Sequence, residues 1–317
     1  MPDKRPAIAI VVPTKDRPED LLRLLRSIAG QSCLPAEVIV VDGGEVNIAP
    51  VLREPSLSVL VLRYERCRPP SASRQRNWGL RLVSPDIPLI GFLDDDCCLE
   101  PDALARMLDY WATAGSEVGG ASFNLLNHPA VFAADWKRRP WVERLGLYSG
   151  RPGAVLPSGF QVMIGRVDGN LYVRWMGTGA SVWRRSVFED FAFDEWYTGY
   201  SYLEDLDFSY RVGRRYRLAV VAGADYRHFH ALHGRGSGYV FGLREAANRI
   251  YFVRKNPELS LARCLAALSF RTGISLIMAL RERRMYYVSR AAGTVVGMVR
   301  SLFDRRRPRR NPEKEGR

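Results

Sequence analysis

Three short apolar runs, each stopped by a turn or an acidic cluster, constrain this chain more than any other feature. Residues 7–12 (AIAIVV) end at Pro13-Thr14, residues 38–41 (VIVV) at Asp42-Gly43-Gly44, and residues 89–93 (LIGFL) at Asp94-Asp95-Asp96. A run of four to six residues without polar alternation is the pattern of a strand buried on both faces. Between the first two runs, Asp16-Arg17-Pro18 opens a helix with a carboxylate and a proline in its first turn, and Leu21, Leu22, Leu25 and Ile28 form its apolar stripe. Residues 59–63 read as a third strand, and residues 73–83 fit a helix with Trp78, Leu82 and Val83 turned inward. This alternation predicts an α/β fold, a three-layer α/β/α sandwich around a mostly parallel sheet. Ligands of such sheets bind beyond the carboxyl ends of the strands, where Pro13-Thr14, Asp42 and the acidic triplet fall.

Charge is distributed unevenly. The 317 residues carry 47 Lys+Arg against 34 Asp+Glu, a net +13, yet residues 261–317 alone hold 14 against 4. A nearly neutral body argues against nucleic acid as a partner. A basic C-terminus fits an anionic surface such as a membrane. The five cysteines form no C-x-x-C pair and fit reduced thiols in a cytoplasmic protein. No secretory leader is visible, and no run of about 20 uncharged apolar residues marks a span. Residues 262–280 and 285–303 come nearest, but Arg263, Arg271, Arg290 and Arg300 interrupt them.

Three groups of residues carry chemistry. Adjacent carboxylates at Asp94, Asp95 and Asp96 repel one another, so a buried strand end that holds them suits a hard divalent cation, Mg²⁺ or Mn²⁺. A solvated acidic turn is the plainer alternative. Glu204-Asp205 falls at a helix start, where a carboxylate either caps the helix or serves as a general base. Asp207, two residues on, faces elsewhere. His228, His230 and His233 cluster late in the chain, but no cysteine pair supports a zinc site; one histidine joining a carboxylate-bound ion remains plausible. No P-loop, G-x-G-x-x-G after the first strand, or G-x-S-x-G elbow is present.

In order, Val11-Val12-Pro13-Thr14 with Arg17-Pro18, Val40-Val41-Asp42-Gly43-Gly44, Arg76-Asn77-Trp78-Gly79, Gly91-Phe92-Leu93-Asp94-Asp95-Asp96, Gly179-Ala180-Ser181 running into Arg184-Arg185, Phe193-Asp194-Glu195 and Glu204-Asp205-Leu206-Asp207 resemble family 2 glycosyltransferases, the inverting enzymes with the GT-A fold. The resemblance covers about residues 7–255. It implies that Pro13, Thr14, Arg17 and Asp42 hold a nucleotide-diphosphate sugar, joined by Arg76, Asp94, Asp95 and Trp175. It implies that Asp96 and His228 bind the Mg²⁺ or Mn²⁺, and that Asp205 is the base with Glu204 beside it. Cys97-Cys98, where the family more often has polar residues, read as packing.

The expected organisation is a GT-A-like catalytic domain over residues 1–258, with a nucleotide-sugar half to about residue 125 and an acceptor half after it. Amphipathic helices over 259–303 follow, lying at a membrane interface or packing on the domain or a second subunit, and then a disordered basic tail over 304–317. The expected activity is sugar transfer to a hydroxyl of a glycan or lipid-linked acceptor, in the cytoplasm or on the inner face of its membrane. A sugar nucleotidylyltransferase is disfavoured because the turn after the first strand, Pro13 to Pro18, lacks glycine. A catalytically silent glycan-binding module is disfavoured by the joint presence of Asp96 and Asp205.

Overall fold

The computed structural model describes residues 5–127, 148–199, 201–229 and 237–304; His230 and His233 and the tail after 304 lie outside them. The chain divides into two compact units, one of residues 1–131 and 164–231 and one of residues 132–163 and 232–317.

The first unit is built on a sheet with, among the described residues, the strand order β3-β2-β1-β4-β8-β6-β9-β5, and with β7 also on β9. The buried runs form β1 (Ile8–Thr14), β2 (Glu37–Asp42) and β4 (Leu89–Leu93), every residue of which is buried. With β3 (Leu62–Arg66) they make the parallel part. Odd and even residues of β1 feed different cores. Ile8, Ile10 and Val12 pack with Leu21, Leu24, Leu25 and Ile28 of α1 (Pro18–Ala29), and Ala9 and Val11 join the aromatic core of Phe92, Trp183, Phe193 and Phe208 on the other face. This two-sided burial removes the polar alternation from the sequence.

Later strands make the rest of the sheet mixed. β5 (Cys97–Leu99), β6 (Val118–Leu125), β7 (Leu171–Val173), β8 (Ala180–Arg184) and β9 (Arg217–His228) follow. β8 runs antiparallel between β4 and β6, while β9 is parallel to β6 and antiparallel to β5 and β7.

Two local expectations are corrected. The third strand begins at Leu62, because Val59 and Val61 sit exposed in the approach to a sheet edge. In α3 (Ala72–Leu82), Trp78 is 38% exposed, and Gly79 takes the inward place. A Cβ at Gly79 would lie 2.3 Å from Val11 Cγ1, so α3 approaches β1 more closely than a side chain there permits.

The second unit holds α7 (Gly238–Lys255), α8 (Leu261–Glu282) and α9 (Met285–Phe303), which follow α4 (Ala103–Thr113) and the first unit's α5 (Val187–Asp190) and α6 (Glu204–Val212). α7 and α9 interlock through glycines. A Cβ at Gly242 would fall 2.2 Å from the Arg290 carbonyl, and one at Gly297 2.6 Å from that of Leu243. By length and composition α8 could cross a membrane, with a mean hydropathy of 1.4 over its most apolar window.

Candidate active site

The site forms where the sheet changes direction of growth. From β1 the chain adds β2 and β3 on one side, then returns to add β4 on the other. Such a switch point is where α/β sheets leave a crevice beyond the carboxyl ends of their strands. Gln75 of α3 holds one rim: its Nε2 donates to the carbonyls of both Thr14 and Val41 at 2.8 Å.

Asp42, at the end of β2, is 1% exposed. Its Oδ1 accepts from Gly44 N at 2.6 Å and its Oδ2 from the Tyr64 hydroxyl at 3.2 Å. Pro13 lies buried one residue before the end of β1, opposite Val41. Asp16 does not enter the helix as a first-turn carboxylate. It adopts a left-handed conformation (φ 54°) and accepts from the backbone N–H groups of Glu45 and Val46, which hold its carboxyl below the usual range.

The acidic triplet separates into three environments. Asp95 turns toward β1: Thr14 Oγ1 donates to its Oδ2 at 2.8 Å, and Arg17 Nη1 to its Oδ1 at 3.1 Å. Burial pushes its carboxyl up to about 7 against the opposing pull of Arg17 and Thr14. Asp96 turns toward β9, its Oδ1 2.8 Å from His228 Nε2, with Arg17 Nη1 3.6 Å from its Oδ2. His228 is placed by the β5–β9 pairing, which sets it opposite Cys97, and by Asn127, which bonds its backbone on both sides. Ligand atoms of Asp96, Cys97 and His228 lie within 4.8 Å of one another. Cys97 was missed as a neighbour of the site. Its buried thiol is held well above its ordinary range and donates to the Gly179 carbonyl at 3.4 Å. The Asp96 carboxylate suits a hard cation such as Mg²⁺ or Mn²⁺, while the His228 imidazole is a borderline donor that Mg²⁺ takes less readily.

Asp94 turns the third way. Arg76, 2% exposed, donates from Nη2 to Asp94 Oδ1 and from Nη1 to Glu204 Oε1, both at 2.6 Å. One buried cation thus joins the end of β4 to the start of α6, packed over the Phe193 ring. β8 closes this contact: Asp94 N donates to the Gly179 carbonyl at 2.7 Å, and a Cβ at Gly179 would fall 2.2 Å from Asp94 Oδ2. Trp175 is buried one residue before Met176, whose N–H is held by Ser209 Oγ of α6.

α6 starts after two residues in the left-handed region, Ser201 (φ 49°) and Leu203 (φ 74°). Strain of this kind concentrates at functional turns. Glu204 is buried, and its Oε2 has no hydrogen-bond partner among the described residues. Burial pushes its carboxyl up to about 8, Arg76 opposing and Asp205 adding to the rise. Asp205 is half-buried and accepts from Leu206 N at 2.7 Å. Asp207 is fully buried and bound to Arg211 at 3.0 Å, which makes it a structural group.

The Glu204 environment gives a pH prediction. Between its ordinary value of 4.5 and about 8, the folded protein holds a proton that the unfolded chain has released. Its contribution to stability therefore falls as pH rises through that window, by up to about 1.4 kcal/mol per pH unit. Denaturation of Glu204→Gln against wild type at pH 5 and pH 8 should show the variant relatively more stable at pH 8; parallel pH profiles would refute the shift.

The fold is of the GT-A class of α/β proteins. Residues 9–145, less than half of the chain, match the model of glycosyl transferase family 2. An uncharacterized glycosyltransferase of Haemophilus influenzae is 31% identical over 123 residues, which are 39% of this chain and 38% of that protein. The succinoglycan biosynthesis protein ExoO of Rhizobium meliloti is 28% identical over 118 residues, 37% of this chain and 33% of that one. The chain thus matches little more than a third of these relatives' length. Among solved structures, the mannosyltransferase PcManGT of Pyrobaculum calidifontis, in complex with GDP-Man and Mn²⁺, superposes over 96% of this chain and 90% of its own, with a TM-score of 0.54 and 16% identity.

Proposed function

We propose that this protein is an inverting glycosyltransferase, moving a sugar from a nucleotide-diphosphate donor to a hydroxyl of a glycan or lipid-linked acceptor. The observation that carries the reading is the division of carboxylates between two ends of one site. Asp95 and Asp96 lie with Arg17 and His228 at the end of β4, and Asp205 stands at the start of α6 beside Glu204, which Arg76 joins to Asp94. Direct displacement needs such a division, with charge stabilisation at the leaving group and a base on the opposite side.

Pro13, Thr14 and Asp42 line the nucleotide side of the crevice, and Arg17 adds positive charge beside it. Asp96 and His228 would hold Mg²⁺ or Mn²⁺, which stabilises negative charge on a departing diphosphate. Asp205 takes the acceptor hydroxyl proton as that oxygen bonds to the anomeric carbon. The bond from that carbon to the diphosphate oxygen breaks, and its electron pair leaves with the nucleotide diphosphate. Trp175, behind Met176, backs the boundary between the two ends.

Calorimetric titration of UDP, GDP and dTDP, each with Mn²⁺ and with EDTA, tests the donor end. One diphosphate should bind with Mn²⁺ and lose at least tenfold in affinity with EDTA or in Asp96→Ala. A folded sample that binds none of the three would overturn the reading.

A further inference from the structure

α8 and α9 form a hairpin turned by Arg283-Arg284, with Arg283 in the left-handed conformation (φ 51°). α9 spends its small-residue face on α7. Ala291, Gly293, Thr294 and Gly297 are buried, and a Cβ at Gly293 would lie 2.0 Å from the Tyr239 carbonyl. Arg290 secures the same contact through Glu245 at 2.8 Å. The exposed face of α9 is largely apolar. Val288, Ala292, Val295, Val299 and Leu302 are exposed at spacings of four and three, a single helical stripe. α8 exposes Leu276, Ile277 and Leu280, and at the turn Leu280 and Met285 are 82% and 75% exposed. Single exposed apolar side chains need no explanation, but stripes along two consecutive helices do.

The charge beside these stripes is mostly positive. Arg263, Arg281, Arg283, Arg284 and Arg300 are exposed, within a stretch from 261 onward that holds 14 Lys+Arg against 4 Asp+Glu. We propose that the outward faces of α8 and α9 are a docking surface for an anionic lipid bilayer, with the helices lying in the headgroup–acyl boundary rather than crossing it. An apolar stripe edged by arginines is the composition of an interfacial helix, and an anionic leaflet complements the charge. A second copy of the chain would set the same excess of positive charge against itself. Spanning is disfavoured because Arg271 sits within α8 and Arg281, Arg283 and Arg284 at the turn would have to pass through hydrocarbon. The inference does not depend on the proposed sugar transfer.

Full-length protein is sedimented with vesicles of equal phosphatidylglycerol and phosphatidylcholine, and with phosphatidylcholine alone. The expected partition coefficient is at least tenfold higher on the anionic vesicles. Leu280→Glu/Met285→Glu and Val295→Glu/Val299→Glu should each lower it at least tenfold, with circular dichroism unchanged because the replaced side chains point outward. Arg283→Ser/Arg284→Ser should lower it on anionic vesicles only. Absence of binding to anionic vesicles overturns the proposal. So does binding that survives both glutamate pairs, which assigns it to the basic tail alone, or a wild-type dimer in light scattering that the glutamate pairs dissociate without any vesicle binding.

Discussion

Replacing Asp205 by asparagine is expected to lower the transfer rate by about 10²–10⁴-fold, the usual contribution of a general base, while metal-dependent binding of the nucleotide diphosphate is unchanged. The asparagine keeps a side-chain oxygen that can accept from Leu206 N, as Asp205 Oδ1 does, so α6 starts as before and only the basicity is removed. Asp207→Asn is the control. That carboxylate is bound to Arg211 inside the core, so its loss should appear in stability and leave the rate per folded molecule unaltered. Rates measured with saturating donor would separate the two. An Asp205→Asn protein with wild-type turnover would remove α6 from the chemistry.

The second large effect is on folding. Arg76→Ala should destabilise the first unit by about 3–5 kcal/mol, the cost of breaking a buried ion pair from one side. The loss is amplified because one guanidinium serves two carboxylates, Asp94 and Glu204, both at 2.6 Å. Arg76→Lys restores the charge but presents a point where the site needs a two-pronged donor, so it should recover only part of the loss. Adding Glu204→Gln to Arg76→Ala should cost less than the two changes summed, because the Glu204 carboxyl has already lost its guanidinium partner. Strict additivity in urea denaturation would mean that the three side chains are not energetically joined.

The residues of the proposed donor site were the most legible in the sequence, and the reason is geometric. Strands buried on both faces lose their polar alternation, so β1, β2 and β4 stand out as apolar runs, and the polar residues that stop them mark the ends where ligands bind. Thr14, Asp42, Asp94, Asp95 and Asp96 followed from that alone. Joining them to Glu204, Asp205 and His228 took the ordered set of motifs, since nothing local brings residue 76 to residue 204 or residue 96 to residue 228. Gln75 had no spacing signal: a glutamine on a helix looks solvated until the two carbonyls it bridges are in place. Trp78 misled because size suggests burial, whereas the close approach of α3 to β1 admits only the neighbouring glycine. The outward stripe on α9 was visible as apolar content, but which face the protein covers was set by glycine packing against α7.

The place of β8 has a consequence for synthesis. A strand made from residues 180–184 lies between β4 and β6, which are complete by residue 125. As the chain leaves the ribosome, the segment matching the family model, residues 9–145, emerges with its sheet in three unjoined pieces, the β3-β2-β1-β4 sheet, β5 and β6. These pieces cannot close until the segment more than fifty residues further on arrives, and β9 completes the far side only after that. Until then β4 and β6 each present an open edge, the kind of surface that pairs with other chains. The nascent protein is therefore most exposed to misassembly midway through translation, and a truncation at the end of the family segment would preserve that vulnerable state.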